Sequence, residues 1–561
     1  MSSIVCSPGA GQAGLFAAYQ LQFYLKQITG EEIPVSEAKP SGSSNKSIYL
    51  SLSTDSLLVW DGYRVRTTEN EIALTSREPR GLLYAVYDML EQAGCSFVYP
   101  GEAEQVVPKK DQLEIHTRDT VVNPVLEHRG FALYGLDKEG LEAGRNFIDW
   151  MAKNRFNYVL VSEDRPSDSD GPAHGSVWKE VDKELLPELK KRGFVIEMSE
   201  HCTPVFFPRS LFKQHPDWFA LNNGERKLGP PPYSGQICYS SKAAIEYYGN
   251  ALAKYAAAHP EFHTIGTWPL DGGEYCECEN CKDPQTVFNA VTNIASKIKQ
   301  VRPDIKVEHL AYKVQTWQPP NLKKLPENIS VLWCRDEGES EELVKQWIAM
   351  TDPSSGVYQF EYYLGDNYRS RSNVWLRPRY AVDMVQHART TGYRGVISLA
   401  LPVQNWWRTC FNGRFFARAS WDPDINIDNE LAAFYRDYFG QQRQEAEKVF
   451  TAIFNDMQKE PYLPSPDDVA KNWLGVEKTS PAILRDIDNA VANSIDSLIS
   501  RRWKRLRVYV EGMMLQTKDY HTRKIDDIRV FENFSKTHND MREVIMYPGY
   551  IRWRNEEDFL P

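Results

Sequence analysis

Thr264-Ile265-Gly266-Thr267-Trp268-Pro269-Leu270-Asp271-Gly272-Gly273-Glu274-Tyr275-Cys276-Glu277-Cys278-Glu279-Asn280-Cys281 starts as a buried strand, breaks at Pro269, turns through two glycines and sets two carboxylates on the turn. Three cysteines follow at once. An apolar strand running into acids on a glycine-rich loop is how an α/β barrel presents catalytic groups.

The same rhythm extends on both sides. Short apolar runs at Gly130–Tyr134, Tyr158–Val161, Phe194–Met198, Thr264–Leu270, Val307–Tyr312, Ile329–Cys334, Val357–Tyr362 and Val396–Leu401 read as strands. Helical spacing fills most gaps: Phe147, Trp150 and Met151 share a face, as do Val287, Val291, Ile294 and Ile298, and Leu343–Met350 and Tyr380–Ala388 follow. About eight strands in βα alternation over roughly 280 residues is what a (β/α)8 barrel of the TIM type requires. The expected fold is therefore α/β, with the barrel at residues 126–424.

Residues 1–125 read as an N-terminal α/β accessory domain, with a helical Leu15–Leu25, a strand at Ile48–Leu52, a turn at Asp61-Gly62, a strand at Ile72–Leu74 and an apolar helix from Gly81 to Gly94. Residues 425–561 lose the strand signal; Leu431–Phe439, Ala446–Met457 and Ala482–Ile499 point to a C-terminal helical domain. There Arg501-Arg502-Trp503-Lys504-Arg505 reads as a solvated helix face.

At 561 residues and 42% hydrophobic the chain is a soluble, globular, multidomain protein. A net charge of −10 argues against a nucleic-acid partner. No segment reaches the roughly 18 apolar residues of a membrane span, so no membrane partner is expected. The N-terminus carries no leader pattern, so the chain as written reads as cytoplasmic, or as secreted if a leader has been removed. High aromatic content, with 15 Trp and 29 Tyr, leans towards an oligosaccharide or glycan partner, because rings stack on sugar C–H faces.

Barrel geometry places residues after each strand around the substrate. That rule collects His128 and Arg129 near the first strand, Glu200 and His201 after the third, and Asp271 and Glu274 after the fourth. Tyr312 ends the fifth, Arg335 and Asp336 follow the sixth, Glu361 lies on the seventh, and Gln404, Asn405, Trp406 and Trp407 follow the eighth. The set is acidic and aromatic, with no phosphate cradle, no nucleotide fingerprint and no Gly-x-Ser-x-Gly elbow.

Glycoside hydrolysis needs two carboxyl groups flanking one bond. Glu274 and Glu361, on opposite strands of a small barrel mouth, are the expected pair: Glu274 as the acid, Glu361 as nucleophile or base. Asp271 is the third catalytic candidate; it would keep Glu274 protonated, or orient the substrate's 2-substituent if an N-acetyl group is the internal nucleophile. Arg129, His201, Trp268, Tyr312, Arg335, Asp336, Asn405, Trp406 and Trp407 are expected to bind substrate. The competing reading makes Glu361 a structural carboxylate paired with Arg129 or Arg335, and Trp406-Trp407 a packing surface for the C-terminal domain.

Cys276, Cys278 and Cys281 form a cluster with ligand-like spacing, for which Cys238, Cys202 or His201 could be the fourth member. A brace without metal, a structural zinc and a disulfide all remain open; no catalytic cofactor is expected, since glutamates supply the chemistry.

Gly81-Leu82-Leu83-Tyr84-Ala85-Val86-Tyr87-Asp88-Met89-Leu90 through Pro100-Gly101 resembles the accessory domain before the barrel of β-hexosaminidases and α-glucuronidases, and Asp149-Trp150-Met151-Ala152-Lys153-Asn154-Arg155-Phe156-Asn157 resembles their first barrel helix and second strand. His215-Pro216-Asp217-Trp218-Phe219-Ala220-Leu221, Gln236-Ile237-Cys238-Tyr239-Ser240 and Asp271-Gly272-Gly273-Glu274-Tyr275-Cys276-Glu277-Cys278 are similar to glycoside hydrolase family 163. The resemblance implies a barrel glycosidase with Glu274 as acid, the family's characterised activity being endo-β-N-acetylglucosaminidase; hydrolysis of a β-linked N-acetylhexosamine with retention is the expected reaction. An α-glucuronidase-like enzyme, using Arg129, Arg335 or Arg408 for a uronate, and a non-catalytic carbohydrate-binding barrel are the rival expectations.

Overall fold

The computed structural model describes residues 3–38, 46–69, 71–113, 116–134, 136–163, 178–229, 234–271, 274–334, 340–361, 375–400, 403–457, 466–522 and 525–544. At its centre eight parallel strands close into a barrel. In order they are His128–Leu133, Tyr158–Ser162, Val195–Ser199, Thr264–Gly266, Lys306–Ala311, Ile329–Cys334, Val357–Glu361 and Gly395–Ala400. The eighth pairs with the first from Gly395↔His128 to Ala400↔Leu133, which closes the ring.

The strands read as continuous apolar runs because both their faces are buried. Tyr158, Leu160, Leu310, Leu332, Tyr358, Phe360, Ile397 and Leu399 fill the lumen. Val159, Val307, Val331, Trp333, Val357 and Val396 point outwards into the main core. Helices cover that outer face, among them Leu141–Lys153, Lys242–Ala258, Thr286–Val301 and Pro378–Thr391. Ser241 caps Lys242–Ala258 and Ser340 caps the further helix Glu341–Ala349, each through its hydroxyl.

The fourth strand is shorter than its apolar run suggests, ending at Gly266 instead of Leu270. Pro269 has no N–H for a ladder. Side chains of the long excursion after the third strand hold residues 268–270 instead: Thr203 Oγ1 donates to the Trp268 carbonyl at 2.8 Å, His201 Nδ1 meets the Pro269 carbonyl, and Gln236 bonds both the N–H and the carbonyl of Leu270, each at 3.2 Å. Gly266 is required where it stands, since a Cβ there would lie 1.7 Å from Ser199 Oγ.

Before the barrel, a six-stranded sheet runs in the order Val35–Ser36, Ile4–Cys6, Ser47–Leu52, Glu71–Ser76, Tyr63–Thr67, Arg118–Val122. It packs on helices Gly11–Thr29 and Pro79–Gln92. Asp61 and Arg129 join this sheet to the start of the first barrel strand. Asp61 is fully buried and accepts from Arg129 at 2.7 Å, from Arg80 at 3.1 Å and from Asn157 Nδ2 at 2.8 Å. Burial alone would raise its pKa, but the Arg129 and Arg80 charges outweigh that and hold it below the usual value.

From Ile427 onward the described chain is helical, with helices Ile427–Phe439, Arg443–Ala452, Pro466–Ala492, Ser497–Thr522 and Ile525–Thr537. The basic run at 501–505 is a solvated face only in part, at Arg501 and Lys504. Trp503 is buried, and Arg502 and Arg505 clamp Glu104 of the N-terminal region at 3.2 and 2.6 Å.

Removing one partner of a buried ion pair strands the other charge. Asp61→Asn is therefore expected to destabilise the protein by about 3–5 kcal/mol. Denaturant unfolding checks this; an unchanged midpoint would show that the Asp61–Arg129 contact carries no stability.

Candidate active site

The C-terminal ends of the strands open on one mouth, and aromatic rings line it. Trp268 points into the lumen with Phe360 edge-on at 5.7 Å. His201 stands edge-on to Trp268 at 5.2 Å and tilted against Tyr312 at 6.1 Å. The structure thus brings together three of the expected sugar contacts: His201, Trp268 and Tyr312.

The loop after the fourth strand carries Asp271, Tyr275 and an exposed Glu274. Glu274 adopts φ +39°, a left-handed value few non-glycine residues take. Its carbonyl accepts from Asn222 Nδ2 at 3.2 Å, and the Glu277 N–H donates to the Leu221 carbonyl at 2.8 Å. The loop is therefore tied to the excursion after the third strand. Burial, then the Asp271 charge, pushes the Tyr275 hydroxyl pKa up, which places that phenol beside Asp271.

Several expected site residues lie elsewhere. His128 and Arg129 open the first strand, so they sit at the barrel floor, opposite the mouth. His128 stacks on Tyr358 at 4.8 Å, and burial keeps its pKa well below the usual value. Arg129 is held by Asp61 and the carbonyls of Leu126, Glu127 and Arg155. Trp407 is fully buried, stacked on Tyr99 at 5.9 Å and donating to Tyr438 Oη at 3.3 Å. Trp406 lies between Tyr99 and the Arg505 guanidinium, and Asn405 Nδ2 donates to the Arg542 carbonyl. This trio seals the C-terminal helices to the barrel. Arg335 and Asp336 lie outside the described residues.

Glu361 also departs from expectation. It follows Phe360, which points into the lumen, so strand alternation turns Glu361 outwards. Gln359 Nε2, on the same face, donates to one oxygen at 2.6 Å, and Tyr380 Oη, from helix Pro378–Thr391, donates to the other at 3.1 Å. Glu361 therefore belongs to the layer between strand and helix. Glu163, just past the second strand, is held the same way by Tyr255 of helix Lys242–Ala258 and by Lys179 at 3.0 Å.

Buried acids stand at and below the mouth; Glu200 was a candidate from its strand end, whereas Glu197 and Glu308 escaped the sequence reading. Glu200 is buried in a left-handed conformation, φ +88°; burial first, then the Glu200 charge, pushes the pKa of the lumen-facing Tyr134 well up. Strain of this kind clusters at functional sites. Beneath Trp268, Glu197 and Glu308 bury their carboxyls in the lumen. Glu308 Oε1 accepts the Trp268 indole N–H at 2.9 Å, and Glu197 Oε2 accepts from Tyr158 Oη at 2.6 Å. Burial raises both pKa values, and the facing Glu197 charge raises Glu308 further, so Glu308 keeps its proton. Period-two alternation in the third and fifth strands marked both positions as inward; only their acidity hid them among core residues.

A family model, described as a domain of unknown function (DUF4838), matches residues 99–450, more than half of the chain. The chain belongs to this family. Among solved structures it is similar to a GH115 4-O-methyl-α-glucuronidase with specificity for decorated arabinogalactans, at 11% identity and TM-score 0.68, covering 99% of this chain and 79% of that one. It is also similar to a GH138 enzyme targeting the pectin rhamnogalacturonan II, at 12% identity and TM-score 0.57, covering 96% and 73%. A mutant Streptomyces plicatus β-hexosaminidase in complex with its product GlcNAc aligns at 14% identity and TM-score 0.54, covering 79% and 91%. These likenesses establish a barrel of the glycoside-hydrolase type. A search of curated proteins finds no match.

A carboxyl whose pKa is raised by folding stabilises the protein below its unfolded value, 4.5, and loses that contribution as pH rises through the folded value. The unaltered protein is expected to lose melting temperature as pH rises above 4.5, and Glu308→Gln, which stays neutral, to flatten that fall. Parallel melting curves for the two proteins at every pH would show that Glu308 ionises freely in the fold.

Proposed function

We propose that the protein is a glycoside hydrolase acting on β-linked N-acetylhexosamine residues of a glycan. In this reading Glu274 donates the proton to the leaving oxygen, Asp271 orients the 2-acetamido group, and the acetamido oxygen attacks the anomeric carbon with net retention. The observation that carries it is the outward turn of Glu361. With that carboxylate bonded to Gln359 and Tyr380, the two acids of the fourth-strand loop face, among the described residues, no nucleophile from the seventh strand. Substrate-assisted retention needs no protein nucleophile and, unlike inversion, no second carboxylate as base on the opposite face of the sugar. The aromatic mouth formed by His201, Trp268 and Tyr312 suits the apolar face of a pyranose. The similarity to family 163 and the fold likeness to a β-hexosaminidase support the same substrate class.

A uronide hydrolase is the second reading, supported by the likeness to a glucuronidase. It needs a cation at the mouth, and Arg129 cannot serve because it is locked into the floor by Asp61. A panel of neutral N-acetylhexosaminides against uronides separates the two.

Glu274→Gln is expected to lower kcat/KM on a natural glycan by about 10²–10⁴-fold, the usual worth of a general acid. The loss should shrink on an aryl glycoside with a good leaving group, which needs little protonation. An unchanged rate on the glycan would remove Glu274 from the mechanism. Glu361→Gln supplies the contrasting arm. Folded variant protein should keep most of its kcat, whereas a loss as large as that of Glu274→Gln would restore Glu361 as the nucleophile.

A further inference from the structure

Cys276, Cys278 and Cys281 on the fourth-strand loop meet Cys238, which ends the excursion after the third strand. All four Sγ atoms lie within 4.8 Å of one another. Cys238 Sγ is 3.6 Å from Cys276 Sγ, 3.8 Å from Cys278 Sγ and 3.9 Å from Cys281 Sγ. Four thiolates bound at about 2.3 Å around a tetrahedral zinc stand about 3.8 Å apart. We propose that this chain holds a structural zinc ion on Cys238, Cys276, Cys278 and Cys281.

The surroundings fit such an ion. Ala220, Cys238 and Cys276 form a small core of their own, with Leu221, Cys278 and Cys281 around it, apart from the main core and the lumen. The Leu221 N–H donates to Cys276 Sγ at 3.3 Å, and Ser240 Oγ lies 3.3 Å from both Cys238 Sγ and Cys278 Sγ. Such contacts orient thiolate ligands. The Arg226 guanidinium lies beside Cys238 and offsets part of the −2 charge that four thiolates leave on Zn²⁺. Cys276 and Cys238 are buried while Cys278 and Cys281 are half-exposed, so the ion has a path in from solvent. Binding forms four Zn–S bonds and releases the thiol protons to water; no redox step is involved. All four protein ligands fill the coordination sphere, which makes the site structural. Its effect is to join the loop bearing Asp271 and Glu274 to the excursion that supplies His201.

This assignment does not depend on the glycosidase reading, because its test needs no turnover. The full-length protein, purified without chelator from zinc-supplemented cells, should contain about one zinc per chain by elemental analysis. Cys238→Ser and Cys281→Ser should lower the zinc content by about tenfold or more, while Cys95→Ser, outside the cluster, should retain it. Since ligand variants can fail to fold, the unaltered protein is also titrated with a mercurial in the presence of a chromophoric chelator. Release of about one zinc as the four thiols react supports the site. Folded protein without metal whose four thiols alkylate freely would overturn it, and so would iron in place of zinc.

Discussion

Along every strand of a closed parallel barrel, side chains alternate between the lumen and the helix layer, and this decides which strand-end carboxylates can meet a substrate. Here the alternation sorts acids that composition alone would treat as equivalent. Glu163 and Glu361 fall on the outer phase, and each is captured by a tyrosine of a covering helix, Tyr255 and Tyr380. Glu197 and Glu308 fall on the inner phase, below the mouth, where one of the two must stay protonated. Asp271 and Glu274 lie beyond the end of the fourth strand, where the phase no longer binds them and the chain can aim them over the mouth.

The barrel's two ends carry different kinds of polar contact. At the floor, Arg129 spends its donors on Asp61 and three carbonyls, and Glu91 joins Arg155 to Arg418. These buried pairs tie the accessory sheet to the barrel and occupy Arg129, Arg155 and Arg418 with partners inside the protein. At the mouth, polar contacts run between loops: Thr203, His201 and Gln236 replace the missing ladder bonds of residues 268–270. Rigidity at one end and loop-borne chemistry at the other is the division of labour expected of this architecture.

Much of the barrel was legible in the sequence because central parallel strands are buried on both faces. Val357–Glu361 and Ile329–Cys334 could be found from apolarity alone. What was not legible was direction. His128 and Arg129 looked like mouth residues because they adjoin a strand, yet they begin it. Glu361 looked catalytic because it ends a strand, yet a one-residue phase turns it away. Trp406 and Trp407 looked like a sugar platform, but their partners, Tyr99, Tyr438 and Arg505, lie far along the chain and no local pattern announces them. His201, Trp268 and Tyr312, each a candidate from its place at or near a strand end, meet around the mouth in the structure.

The fourth-strand loop joins these themes. Its strand ends at Gly266 and Pro269 cannot donate, so the segment ahead of Asp271 gains its order from side chains of the preceding excursion. Past Glu274 the same excursion returns as Cys238 among the three loop cysteines. The two acids are therefore bracketed by tertiary contacts on both sides. Within that bracket Glu274 holds a left-handed backbone, and the Asn222 hydrogen bond to its carbonyl ties it to the same excursion.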